Sequence, residues 1–192
     1  MRVEPARPAD LPAVQAAYAA ARALQRARGA AVWPDFPDAG VLAEVGAGRL
    51  LRVLDDDRVA GAADTLAGVF SVTYEDAAIW GARERGAHVY LHRVARAAFR
   101  GGAPSGAGPS GRGLFGAVLA WADAHARAMG RAGVRVDTWA DNAALVGYYE
   151  RAGFARVGGR RLPADPRLPA HYHGLKVALL EHPCATPAAA AE

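Results

Sequence analysis

With 192 residues, 52% of them hydrophobic, the chain is long enough to bury one sizeable core, and a single domain is the expectation. A formal charge of +4 and a pI near 9.6, carried almost wholly by arginine with Lys176 the only lysine, allow an anionic ligand but are too small to argue for nucleic acid. One cysteine, Cys184, excludes an internal disulfide; no apolar leader and no run of membrane-spanning length is seen, so cytoplasm is the expected compartment and no membrane partner is expected.

In chain order, residues 2–6 read as a short strand, and Asp10 as the N-cap of a helix from Leu11 towards Arg28, stopped by Gly29. "PDAGVLAEVGAG" reads as a second helix, and "RLLRVLDDDRVAGAADTL" as a hairpin turning at Asp55, Asp56 and Asp57. Residues 67–86 follow no clear period. "HVYLHRVA", 88–95, is a strand rich in β-branched and aromatic residues. Its apolar spacing slips between Leu91 and Val94, which predicts a bulge around Val94 and Ala95 with unpaired backbone groups.

A glycine, proline and serine segment then runs into a helix from Leu114 to Met129, followed by the strand "GVRVDTW". "NAALVGYYERAGF" is a helix closed by Gly153, "ARVGGRR" and "HGLKVALLE" are late strands, and the low-complexity residues 184–192 are expected to be a disordered tail behind a domain of residues 1–183. This alternation of strands and helices predicts a mixed α/β layer structure.

A glycine-rich stretch between a strand and a helix points to an anion, because a helix start offers unsatisfied N–H groups and the positive end of its dipole. Gly111, Gly113 and Gly116 would let a phosphate approach the backbone, and Arg112 adds a charged donor. "GAGPSGRG" is a poor P-loop, lacking the lysine and the magnesium-holding hydroxyl. "GRGLFG" matches a dinucleotide fingerprint, with Asp137 downstream, but lies far from the strand that should precede it.

A third reading uses more of the chain. The order "YLHRVARAAFRG…GRGLFGAVLAWA", then "VRVDTWADNAALVGYYERAGF", resembles the GCN5-related N-acetyltransferase (GNAT) superfamily over residues 2–181, most specifically from Tyr90 to Phe154. That family pairs a pyrophosphate loop of the type R/Q-x-x-G-x-G/A with a helix of pattern N-x-x-A-x-x-x-Y-x-x-x-G-F, and Asn142, Tyr149, Gly153 and Phe154 stand at the latter spacing. The chain departs from the family in the extra "GAPSGAGPSG" between Arg100 and Arg112, in Phe115 where glycine is frequent, and in Arg96 at the strand end.

The resemblance implies a mixed, mostly antiparallel central sheet of about six to seven strands, flanked by helices, with a splayed central strand pair. It implies acetyl-coenzyme A as co-substrate, no metal, and a small-molecule or peptide amine as acceptor; homodimers are common in the family. Val94, Ala95, Arg96, Gly111, Arg112, Gly113, Leu114, Phe115, Gly116 and Asn142 become candidate donor-binding residues. Tyr149 takes the family position of the acid that protonates the departing thiolate, while Asp137 and His92 are candidate bases. A non-catalytic acyl-coenzyme A binding module on the same fold is the alternative.

Each of these residues has an ordinary structural explanation beside the functional one. Asn142 makes a good N-cap, Asp137 a hydrogen-bonded strand-end aspartate, and His92 a satisfied core histidine. Trp33 and Phe36 either line the acceptor pocket or cap the core, Tyr148 reads as packing, and "HYH" at 171–173 lacks the third spaced partner a metal requires.

Overall fold

The computed structural model describes residues 1–55, 65–97, 113–168 and 170–184. In chain order the elements are β1 (Arg2–Pro5), α1 (Leu11–Ala27), α2 (Asp38–Gly46), β2 (Leu50–Leu54), β3 (Leu66–Thr73), α3 (Ala77–Trp80), β4 (His88–Arg96), α4 (Leu114–Ala128), β5 (Gly133–Trp139), α5 (Ala143–Arg151), β6 (Ala155–Arg161) and β7 (Lys176–Pro183), with short 3-10 turns at Pro8–Asp10, Gly81–Arg83 and Ala170–Tyr172. The strands form one seven-stranded sheet in the order β1-β2-β3-β4-β5-β7-β6. β1–β2, β2–β3, β5–β7 and β6–β7 pair antiparallel, and β4–β5 pairs parallel. Parallel neighbours need a crossover, which α4 supplies. This is the mixed, mostly antiparallel sheet flanked by helices that the resemblance implies.

The β4–β5 ladder joins His88, Val89 and Tyr90 to Gly133, Val134 and Arg135, while β5 runs on against β7 as far as Trp139.

The chain groups into two compact units, each considered over its described residues: Met1–Thr73 with Leu91–Trp121, and Tyr74–Tyr90 with Ala122–Glu192. In the first unit, Val14, Ala17 and Tyr18 recur at helical spacing on one face of α1 and are fully buried. They pack with Val41, Leu50, Val69 and Ala95, and Trp33 and Phe36 close the cluster. The second unit centres on Ile79, Trp80, Tyr90, Leu162, Val177 and Leu179. There the Arg135 guanidinium lies 4.3 Å from the Trp80 ring, donates to the Tyr90 hydroxyl at 3.0 Å and to the Arg83 carbonyl at 2.9 Å, and pairs with Glu181. A buried arginine is tolerable only because its donors are met in this way.

Several elements differ from expectation. Asp10 stands at the N-cap position of α1, as expected, but its backbone is already helical and its side chain makes no cap bond. Its carboxylate instead accepts from the Arg7 N–H at 2.7 Å and from Arg52 at 3.2 Å, so an ion pair with β2 replaces the cap. The last strand starts at Lys176 rather than at His173, because the His173 ring is held by the Asp165 and Leu168 carbonyls and Gly174 turns the chain at φ +77°. Beside it, the His171 and Tyr172 rings meet at a tilt of 50° with centres 4.6 Å apart. The hairpin tip with Asp56 and Asp57 lies outside the described residues; the Asp55 N–H donates to Thr65 O across its base at 2.9 Å.

Candidate active site

The bulge expected in β4 has a backbone counterpart one residue earlier. Arg93 has φ +50°, and it is the only non-glycine residue with positive φ among the described residues. For such a residue the left-handed region costs on the order of 1–2 kcal/mol, so the surroundings must hold it there. The alternating burial of a strand breaks at the same place: His92, Arg93 and Val94 are all half-buried, Ala95 is buried and Arg96 is exposed.

In the same unit α4 begins at Leu114, and its Ala117 N–H is bonded to Gly113 O at 3.2 Å. Helix geometry directs the amides ahead of that bond out of the helix end. Among the described residues nothing lies within 4 Å of the place a Cβ would occupy on Gly113, which suits close approach of a ligand to the backbone. Leu114 and Phe115 are buried and anchor this end, and Gly116 is half-buried. Gly111 and Arg112 lie outside the described residues.

Gly68 of β3 is a residue that sequence reasoning missed. A Cβ there would lie 2.6 Å from the Ala95 carbonyl and 2.7 Å from the Leu114 side chain. Glycine at this position therefore sets the close approach of β4 and the α4 start; in the sequence it lies in the stretch 67–86 that follows no clear period.

The second unit carries Asp137 and Tyr149. β5 has a buried Val134–Val136 stretch that fixes its register, and Asp137 follows with part of its surface open. Burial, with the charge of Asp76 adding to it, pushes the Asp137 carboxyl up to about 7. Tyr149 stands on α5, whose N-cap is Asn142: its side-chain oxygen accepts from the Leu145 N–H at 3.1 Å, a bond that leaves the amide nitrogen uncommitted to the cap. Phe154, just beyond Gly153 at φ +94°, packs edge-on against the Tyr149 ring at 5.7 Å. Tyr149 holds its proton more tightly than an ordinary tyrosine, chiefly through burial and secondly through the Asp137 charge.

Asp76 is the second residue that the sequence did not reveal. An oxygen of its carboxylate lies within 4.8 Å of an oxygen of Asp137. Asp76 is fixed as the N-cap of α3 by the Ile79 N–H, while its own N–H donates to Glu84 at 2.8 Å. Burial raises the Asp76 carboxyl to about 6 against the effect of the Ile79 N–H, and Glu84 adds repulsion. Two carboxylates this close resist ionising together, and they titrate as a pair. Glu84 stays acidic despite burial, because the Tyr90 hydroxyl and the Asp76 and Gly86 amides donate to it.

His92, on β4 in the first unit, makes a 3.0 Å hydrogen bond with the Thr73 hydroxyl. Burial and the neighbouring Arg93 lower it to about 4, so its ring is neutral at pH 7. Among the described residues no helix is long and apolar enough to cross a membrane.

No protein-family model and no curated protein matches the chain. Solved structures do. An acetyltransferase of the GNAT family from Listeria monocytogenes superposes with a TM-score of 0.62 at 16% identity, covering 94% of each chain. The ribosomal-protein-alanine N-acetyltransferase from Brucella melitensis gives 0.57 at 18% identity, over 95% of this chain and 99% of that one. The yncA protein from Salmonella typhimurium, solved with its cofactor acetyl-CoA, gives 0.56 at 17%, over 98% and 96%.

Proposed function

From the GNAT fold, which this chain has, we propose that it transfers an acetyl group from acetyl-coenzyme A to a primary amine, with direct attack of the amine on the thioester. The observation that carries this reading is the pairing of a carboxyl raised to about 7 with a tyrosine that keeps its proton, on adjoining elements β5 and α5. Acetyl-coenzyme A supplies the activated acyl group as a thioester.

The amides at the start of α4, with no described residue within 4 Å of a Cβ placed on Gly113, receive the diphosphate, as a helix start does for any phosphate. Val94 and Ala95, beyond the kink at Arg93, offer backbone N–H groups to the negative charge that develops on the carbonyl oxygen. Arg96, exposed at the end of β4, supplies a further cation for phosphate, and the amide nitrogen of Asn142 a donor for the pantetheine arm.

Asp137 is assigned as the base. A lysine-like amine of pKa about 10.4 must shed a proton before it attacks, and a carboxylate titrating near 7 accepts one far more readily than an ordinary carboxylate. His92 titrates near 4 and is on the order of a thousandfold weaker as a base, so its part is that of a neutral hydrogen-bonding group. Tyr149 gives its proton to the sulfur as the C–S bond breaks and the C–N bond forms. Asp137 passes the ammonium proton to solvent, then takes the second proton from the nitrogen as the C–N bond forms and restores it to Tyr149, so that the cycle balances with one proton released to water per turnover.

The test is a panel of amines with acetyl-coenzyme A, read by release of free thiol and by the mass of the acetylated product. Amine-dependent release supports the transferase. Binding of acetyl-coenzyme A with no release by any amine favours the non-catalytic module.

A further inference from the structure

We propose that Arg93 is a positioning residue whose guanidinium, seated in a socket formed by Tyr18, Phe36, Glu44 and Ser71, holds the left-handed kink of β4 and with it the direction of the Val94 and Ala95 amides. The proposal rests on the transferase reading above and adds to it the group that maintains the donor geometry.

Four separate parts of the first unit converge on this one side chain. Nη2 of Arg93 donates to Glu44 of α2 and to the Ser71 hydroxyl of β3, the latter at 2.9 Å. Ser71 in turn donates to the same Glu44 oxygen at 3.0 Å, closing a three-membered polar ring. The guanidinium carbon lies 4.9 Å from the Phe36 ring centre and 5.8 Å from that of Tyr18. Those rings are themselves fixed: Tyr18 is fully buried and meets Phe36 at 5.0 Å and Trp33 at 6.3 Å. With 20% of the Arg93 side chain and 23% of the Glu44 side chain exposed, the ion pair is only slightly screened by water.

An ordinary ion pair tying α2 to the sheet needs no unusual backbone. Here the residue making the pair is also the only non-glycine residue at positive φ among the described residues. Glycine would adopt φ +50° without cost, but it would leave the kink free to relax into extended strand. Arginine has the opposite character: its backbone disfavours the kink, and the reach of its side chain into the socket enforces it. Val94 follows immediately, so relaxation at residue 93 reorients the next amide.

The experiment compares full-length Arg93→Ala, Arg93→Gly and Glu44→Gln in the acetylation assay, alongside a crystal structure of Arg93→Ala. Arg93→Ala is expected to lower kcat about 10- to 100-fold, with the KM for acetyl-coenzyme A changed less than about threefold. Arg93→Gly is expected to recover at least about fivefold of that loss, because it restores access to the kink. Glu44→Gln, which keeps the shape and removes the charge, is expected to lose about threefold to tenfold in kcat and remains informative if Arg93→Ala does not fold. In the crystal, residue 93 of Arg93→Ala is expected at negative φ.

Unchanged kcat in Arg93→Ala, no recovery in Arg93→Gly, or a retained positive φ in the alanine variant would each overturn the proposal. If the wild-type protein acetylates no amine, the transferase reading fails. The φ at residue 93 in the alanine variant then still decides whether the socket holds the kink.

Discussion

Asp76 and Asp137 bring carboxylate oxygens within 4.8 Å of each other, one from the cap of a single-turn helix and the other from the middle of the sheet. Burial raises Asp137 first, and the value near 7 is also partly Asp76's doing. The first prediction concerns that coupling. The acetylation rate should rise with pH through about 7 as the pair loses its shared proton. In Asp76→Asn the midpoint should move down by on the order of one pH unit, because the like charge is gone. A kcat/KM profile between pH 5 and 9 checks this, and a midpoint that stays in place would separate Asp76 from the chemistry.

Tyr149→Phe removes a hydroxyl and keeps the ring that packs on Phe154. The fold should be unaffected, and the affinity for acetyl-coenzyme A measured by calorimetry should stay within a few-fold of wild type. Loss of the acid should lower kcat about 100-fold or more. Equal turnover in the two proteins would remove Tyr149 from the mechanism.

Asp137 also makes a statement about stability. Its carboxyl is raised in the folded protein from an unfolded value near 4 to about 7, so the folded state binds the extra proton across that window. The stability it contributes is complete below about pH 4 and is lost as pH rises through about 7. Asp137→Asn cannot ionise, so relative to wild type it should gain on the order of 2 kcal/mol between pH 5 and pH 8. His92, lowered to about 4, contributes the opposite slope between about 4 and 6.5, but it is present in both proteins and cancels in the difference. Urea denaturation of both proteins at the two pH values gives the comparison; a difference that does not grow with pH contradicts it.

Gly68→Ala tests the close approach behind the α4 start. The added methyl would press on the Ala95 carbonyl and on Leu114, and backbone cannot yield cheaply. A loss of about 1–3 kcal/mol in stability is expected, together with weaker binding of acetyl-coenzyme A, because the two displaced residues border the proposed donor site. A stable variant with unchanged affinity would show that the approach is unimportant.

What the sequence reveals and what it hides follow from the range of the interactions. β5 over Gly133–Trp139 and α5 after its Asn142 cap are legible because their signals are local: β-branched alternation, an N-cap and a closing glycine. The break at Val94 marks the β4 kink to within one residue, since a slipped period is also local. Asp10 is legible as the cap position of α1, but not the partner of its carboxylate, because Arg52 arrives from a distant strand. Asp76 is invisible for the same reason: only the fold brings it beside Asp137. The Arg93 socket draws on α1, α2 and β3, and no spacing within β4 announces it.

The most direct test of the central claim follows thiol release from acetyl-coenzyme A, with and without an amine panel, for wild type and Asp137→Asn at pH 7.5. The account predicts amine-dependent release by wild type, one thiol per acetylated product, and at least about a 100-fold lower rate in Asp137→Asn with donor binding intact. Equal amine-dependent rates in the two proteins, or tight donor binding with no amine-dependent release in either, would contradict it.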